Sequence, residues 1–164
     1  MNPKQIKSLF AAFFSLYFFL LAFNNLSDYA SNQAFVKGVL SMEDVFSNPA
    51  NQWRAIPWDW AVPLFYGLII IWELGTAFVL GRGAVLMFSH SEKDSLKFEQ
   101  GKRWVSTGYV MSFVQWFVFF VTIASEWFLM WQSETWNAQG TAFALTGITL
   151  FLLLFHYLVQ EEGK

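Results

Sequence analysis

Four long apolar runs divided by polar stretches organise the chain. The first, about residues 6–23, reads IKSLFAAFFSLYFFLLAF and carries no charge after Lys7. The second, about 63–80 with Trp58 as an alternative start and Phe88 as an alternative end, is interrupted by Glu73. Gly81 and Gly83 flank Arg82 there as an expected helix exit. The third covers about 104–127 and the fourth about 140–159. About 20 apolar residues cross a hydrocarbon core of roughly 30 Å. None of the runs shows the period-2 alternation of a barrel strand. The pattern predicts an all-α fold, a four-helix transmembrane bundle, as a single integral membrane domain over 1–164. A cleaved signal peptide is the competing reading of the first run, because Lys4 and Lys7 precede it. Its length, its Phe content and the absence of an A-x-A site before Asn24-Asn25 speak against that reading.

The polar stretches differ in kind. In the long one, Asn24 to Pro57, the residues Phe35, Val36, Val39, Leu40, Met42 and Phe46 recur at helical spacing, with Ser31 or Asn32 as a cap. A short amphipathic helix lying on the membrane or on the bundle is expected there. Ser41-Met42-Glu43-Asp44 fits a capping box at which the helix would break or restart. Asn48-Pro49-Ala50-Asn51 reads as a turn. The stretch SHSEKDSLKFEQGK between runs two and three mixes both charge signs and reads as a solvated connector with at most a helical turn.

Composition agrees with the pattern. Only 13% of residues are charged while 55% are apolar, against about 25% charged in a soluble domain. Twenty Phe and nine Trp suit lipid contact and the bilayer interface. The net charge of −2 gives no basic signature for nucleic acid. Without cysteine, thiol catalysis and thiolate metal sites are excluded. Charge placement then sets orientation. Lys4, Lys7, Arg82, Lys93, Lys97, Lys102, Arg103 and Lys164 fall on one side, and only Lys37 and Arg54 on the other. The positive-inside rule makes the first side cytoplasmic and predicts both termini there.

Glu73 is the sharpest candidate for chemistry. It follows Leu64 by nine residues, about 14 Å of helix, which places it near the bilayer midplane. A carboxylate at that depth faces protein or water. Gln115 should lie at similar depth and within reach of a hydrogen bond. One reading makes Glu73 interhelical glue; the other makes it a proton- or cation-binding group. Trp53, Trp58, Trp60, Trp127, Trp131 and Trp136 fall at the outer interface as an aromatic belt. Trp72 and Trp116 lie near the midplane beside Glu73 and Gln115, where they would line a pocket for a quinone, a lipid or a partner helix. Arg54, a lone outer cation, is expected to clasp the long loop to the bundle through Asp28 or Glu126.

Other candidates are weaker. The outer carboxylates Asp28, Glu43, Asp44, Asp59, Glu126 and Glu134 match no metal loop, so a solvated rim is expected and no metal site is predicted. His90 sits in a connector, which disfavours bis-His haem, and His156 is expected to snorkel to the inner interface. Gly67, Gly75, Gly108 with Ser112, and Gly140 with Ala144 and Gly147 mark places where backbones can approach. No nucleophile–base pair, phosphate loop or dinucleotide fingerprint is present.

Asn24-Asn25-Leu26-Ser27-Asp28-Tyr29, continuing to Val39-Leu40-Ser41-Met42, and the string EWFLMWQSxTWN from Glu126 to Asn137 carry a resemblance. Together with Trp53-Arg54-Ala55-Ile56 and Trp72-Glu73, they resemble a bacterial family of predicted small integral membrane proteins of unknown function, over nearly the whole chain. The resemblance implies a bacterial inner membrane and brings no reaction or ligand. The sequence thus favours a non-catalytic accessory or assembly subunit acting through helix and loop contacts, in a homo-oligomer or a larger membrane complex. The alternative is a small-ligand protein centred on Glu73: a quinone or lipid binder, or a proton-coupled transporter. A membrane enzyme using Asp28 and Glu126 is a third reading. No cofactor is predicted beyond the quinone or lipid of the alternative.

Overall fold

A computed structural model describes residues 2–46, 50–91 and 94–159. Lys93, Lys164 and the Asn48-Pro49 part of the expected turn lie outside them. The described residues form α1 (Pro3–Ser27), α2 (Tyr29–Ser41), α3 (Ala61–His90), α4 (Ser95–Phe113) and α5 (Gln139–Leu158). A π-helical segment, Val114–Trp127, continues α4 directly, and Gln52–Arg54 and Met130–Gln132 are single 3₁₀ turns. Four helices are long and apolar enough to cross a membrane: Pro3–Ser27, Ala61–His90, Ser95–Trp127 and Gln139–Leu158. This is the expected all-α bundle.

The helix limits follow from local chemistry. Asn2 and Gln5 exchange side-chain and backbone bonds at the start of α1, and Pro3 takes the first turn, where it loses no hydrogen bond. Asp94 caps α4 by accepting from the N–H groups of Leu96 and Lys97. The expected connector is therefore mostly the first turns of α4. Likewise α3 does not exit at Gly81–Gly83; it continues to His90. Those glycines serve packing: a Cβ on Gly83 would lie 2.8 Å from the Val105 nitrogen and 2.9 Å from the Gly101 oxygen. Here α3 and α4 touch backbone to backbone, the contact small residues allow in lipid.

Helix α3 is central, with α1 on one side and α4 on the other, and α5 leans on α4 and its π continuation. Lys7 Nζ donates to the Val159 carbonyl at 2.7 Å, and the rings of Phe10 and Phe155 lie 5.3 Å apart. The start of α1 and the end of α5 therefore share one face of the bundle, called here the terminal end; the opposite face is the loop end. His156 is 1% exposed, its Nε2 lying 3.2 Å from the Lys102 carbonyl. It does not snorkel as expected, because Tyr109 and the α4 backbone enclose it.

At the loop end α2 folds back onto the bundle. Val36, Val39, Leu40 and Met42 are buried with Tyr66, Ile70 and Phe128. Its start is Tyr29, ahead of the Ser31 or Asn32 expected. Met42, left-handed at φ 55°, ends it, so no capping box restarts it at Ser41. Asp44 turns instead to the opposite loop, accepting from the Ser133 hydroxyl at 2.7 Å and the Thr135 N–H at 2.9 Å.

Candidate functional site

Buried positions on the third span change their spacing at Val114. In α4 they fall at Phe98, Gly101, Val105, Gly108 with the adjacent Tyr109, and Ser112, each turn three or four residues from the last. In the π segment they fall at Gln115, Trp116, Val121 and Ser125. The wider turn is seen in i→i−5 bonds, Thr122 Oγ1 to the Phe117 oxygen and Phe128 N to the Ile123 oxygen. At the junction, the Val114 N–H turns to the Val110 and Met111 carbonyls. The Met111 carbonyl also accepts the Trp72 indole N–H at 3.0 Å.

Around this junction α1, α3 and the π segment bring a polar cluster together. Glu73 is 2% exposed and Gln115 fully buried. Asn25 Nδ2 donates to Glu73 Oε2 at 2.7 Å, and Gln115 Nε2 donates to Glu73 Oε1 at 3.1 Å. The Tyr66 hydroxyl donates to the Asn25 carbonyl at 2.6 Å. Each carboxyl oxygen of Glu73 thus meets an amide from a different helix, the arrangement a polar group needs away from water. On the same segment the Gln115 Oε1, Trp116 Nε1 and Ser125 Oγ atoms are buried without hydrogen bonds.

The four residues expected to share one midplane site are divided by α3. Glu73 and Gln115 face the core. Trp116 is 5% exposed and packs on Phe120 with the inner core. Trp72 points the other way and walls a lateral cavity of about 600 Å³ between α2, α3 and the π segment. Its lining is apolar, including Leu40 from α2, Leu68 and Gly75 from α3, and Phe119 and Phe128 from the third span. Eleven residues of α3, Phe65 to Gly75, run along it, about 15 Å of helix. The sequence could not separate these faces, because Trp72 and Glu73 are neighbours and only the packing of α1 and α2 shows which way each points.

At the loop end Arg54 sits between two indoles, its guanidinium carbon 5.8 Å from the Trp53 ring and 5.4 Å from the Trp127 ring. Its Nη1 lies 3.5 Å from the Trp127 carbonyl, and its Nε is enclosed without a hydrogen bond. The expected pairing with Asp28 or Glu126 is not formed among the described residues. Asp28 instead precedes α2, with no side-chain cap bond. Arg54 still ties the long loop to the third span, through a carbonyl and two ring faces. The other interface aromatics are paired. Trp58 stacks on Trp60 with centroids 5.6 Å apart, Trp131 meets Phe46 and Trp136 meets Phe35. Outside the membrane spans, the Asp44 carboxyl is held below its ordinary value, first by the Ser133 hydroxyl and then by the Thr135 N–H.

Residues 4–159 match the family described as predicted small integral membrane protein (DUF2165). The chain belongs to this family. No curated protein and no solved structure matches it. For a small integral membrane protein of this kind, side-chain geometry is what bears on function. It adds Asn25 and Tyr66 to the Glu73 cluster. A polar Asn25 directly after an apolar run was the available signal, and it reads equally as the end of the span. The change of period at Val114 gives no such signal, since Ser112 and Gln115 are the polar residues nearest it and their spacing of three fits an ordinary helix.

Proposed function

We propose that this chain is a non-catalytic membrane protein that acts by binding, and that the cavity walled by Trp72 holds the apolar part of a lipid or quinone. The observation that carries the reading is the cavity itself: about 600 Å³, lined by apolar side chains of three helices, within the roughly 300–1,000 Å³ of small-molecule sites. In this reading the chain is one membrane-embedded unit of a bacterial inner membrane, with the terminal end in the cytoplasm. The crowding of Lys and Arg at that end supports the orientation. The Glu73 cluster acts as interhelical glue that fixes α3 and so the wall on its other face; Glu73→Gln should then leave ligand binding intact.

Gly75→Leu tests the reading. A Cβ on Gly75 meets only Met111 Cε, at 3.6 Å, so the larger side chain can be placed and will occupy the cavity. The variant should fold and lose the lipid or quinone that extraction recovers from wild-type protein. Equal recovery from both would overturn the proposal.

An accessory role in a larger membrane complex is a second reading, favoured by the Trp-rich loop end. Trp53, Trp58 and Trp60 are 69%, 55% and 61% exposed, and aromatic residues are enriched in protein interfaces. Trp58→Ala with Trp60→Ala should then release a co-purifying partner while the chain stays folded. Unchanged co-purification, or a chain that migrates alone in mild detergent, counts against it.

A further inference from the structure

Arg54 lies beside the loop-end lining of the lateral cavity, one residue removed from it. The peptide to which its Nη1 points joins Trp127 to Phe128, and Phe128 lines the cavity. Two residues on, Ile56 N donates to the Leu40 carbonyl at 2.8 Å, and Leu40 lines the cavity from α2. The 54–56 segment is thus fastened to α2 at Leu40 and to the chain next to Phe128, both of which line the cavity. The cavity extends about 15 Å along α3, which is half of a ~30 Å hydrocarbon core, the depth of one leaflet. A single hydrocarbon chain entering from the loop end fills that length, and its headgroup then stands at Arg54.

We propose that the ligand is a lipid whose headgroup carries net negative charge, read by Arg54 while one of its chains lies in the cavity between α2, α3 and the π segment. This rests on the cavity-binding reading above and adds the chemistry of the headgroup. A guanidinium presents a planar fork suited to phosphate oxygens. Among the described residues Arg54 makes one hydrogen bond, at 3.5 Å through Nη1, and its Nε is enclosed without one. The Trp53 and Trp127 ring faces hold the cation in place. A choline headgroup carries the same phosphate but brings a quaternary ammonium, a second cation beside the guanidinium, which sets the site against zwitterionic choline lipids.

The test uses the full chain in mild detergent, titrated with dioleoyl phosphatidylglycerol or dioleoyl phosphatidylcholine and read by native mass spectrometry. Wild type should prefer the anionic lipid by about tenfold. Arg54→Gln should abolish the preference and still bind the choline lipid as wild type does. Arg54→Lys, which keeps the charge without the fork, should retain a few-fold preference. Lys37→Gln, which removes the same charge from the exposed side of α2, should keep the full preference. Equal binding of the two lipids by wild type overturns the proposal, as does an undiminished preference in Arg54→Gln or an equal loss in Lys37→Gln. If Arg54→Gln does not fold, an undiminished preference in Arg54→Lys overturns it. Gly75→Leu separates the two levels. If it binds both lipids like wild type, the cavity reading itself fails; if it binds neither, only the headgroup claim remains at stake.

Discussion

The two ends of α3 are packed on opposite principles. Toward the terminal end, α3 meets α4 through Gly83, Gly101 and Gly108, where any added Cβ would strike backbone or a buried Leu80 side chain. The helices are α-helical there and their backbones touch. Toward the loop end, α3 faces a π-helical wall across the bulk of Trp72, Phe119 and Phe120, and a cavity remains. Lipid tails are as apolar as leucine, so helix association in a membrane depends on close contact and on polar bonds. The terminal half uses contact. The loop half uses the Glu73 amides, the Trp72–Met111 bond and the Asp44 loop tie, and can therefore leave space between its helices.

The sharpest way to break this contrast is to deny the terminal half its contact. Gly101→Leu would press a side chain into the Met87 nitrogen, 2.8 Å from the Cβ position, and the Gly83 oxygen at 3.0 Å. A loss of about 3 kcal/mol or more is expected, since backbone cannot yield as a side chain does. Denaturation from mild detergent by added SDS would measure it. Gly67→Ala is the contrast: nothing lies within 4 Å of its Cβ position, so a change between zero and about 1 kcal/mol of stabilisation is expected from helix propensity.

Polar bonds come next. Glu73→Ala strands the Asn25 and Gln115 donors and should cost about 1–3 kcal/mol. Glu73→Gln keeps an acceptor and should lose less in the same unfolding assay. A larger loss for Gln than for Ala would show that this side chain is not the glue of the loop half. Trp72→Phe keeps an aromatic side chain but removes the indole N–H to Met111 and part of the ring volume, with an expected loss of about 1–2 kcal/mol. Hydrogen exchange at the residues after Val114 should rise, because the junction loses its bond to α3.

The smallest effect expected is a pH dependence of the loop tie. Folding lowers the Asp44 value below its ordinary 3.8, so its contribution is complete above 3.8 and is lost as the pH falls through the lower folded value. Limited proteolysis of the 42–60 and 128–138 loops should quicken in that acidic range in wild type. In Asp44→Asn the rate should already be raised at neutral pH and show little further change.

The sequence by itself determined the membrane class, the four spans and the depth-matching of Glu73 with Gln115. Each depends on a count along one chain: apolar length, position of charge, residues from a span's start. It also marked Arg54 as an isolated cation. Tertiary structure decided which neighbour each side chain met. It extended α3 through Gly81 and Gly83, since a glycine reads the same in a helix exit as in a close contact. It buried His156, turned Arg54 from carboxylates to indoles, and changed the period of the third span at Val114, where the spacing of Ser112 and Gln115 fits an ordinary helix. It also put Trp72 and Glu73, adjacent in sequence, on different faces of α3, one toward the cavity and one toward the core. A helix sends successive residues about 100° apart, and only the helices packed around it determine which direction is core and which is cavity.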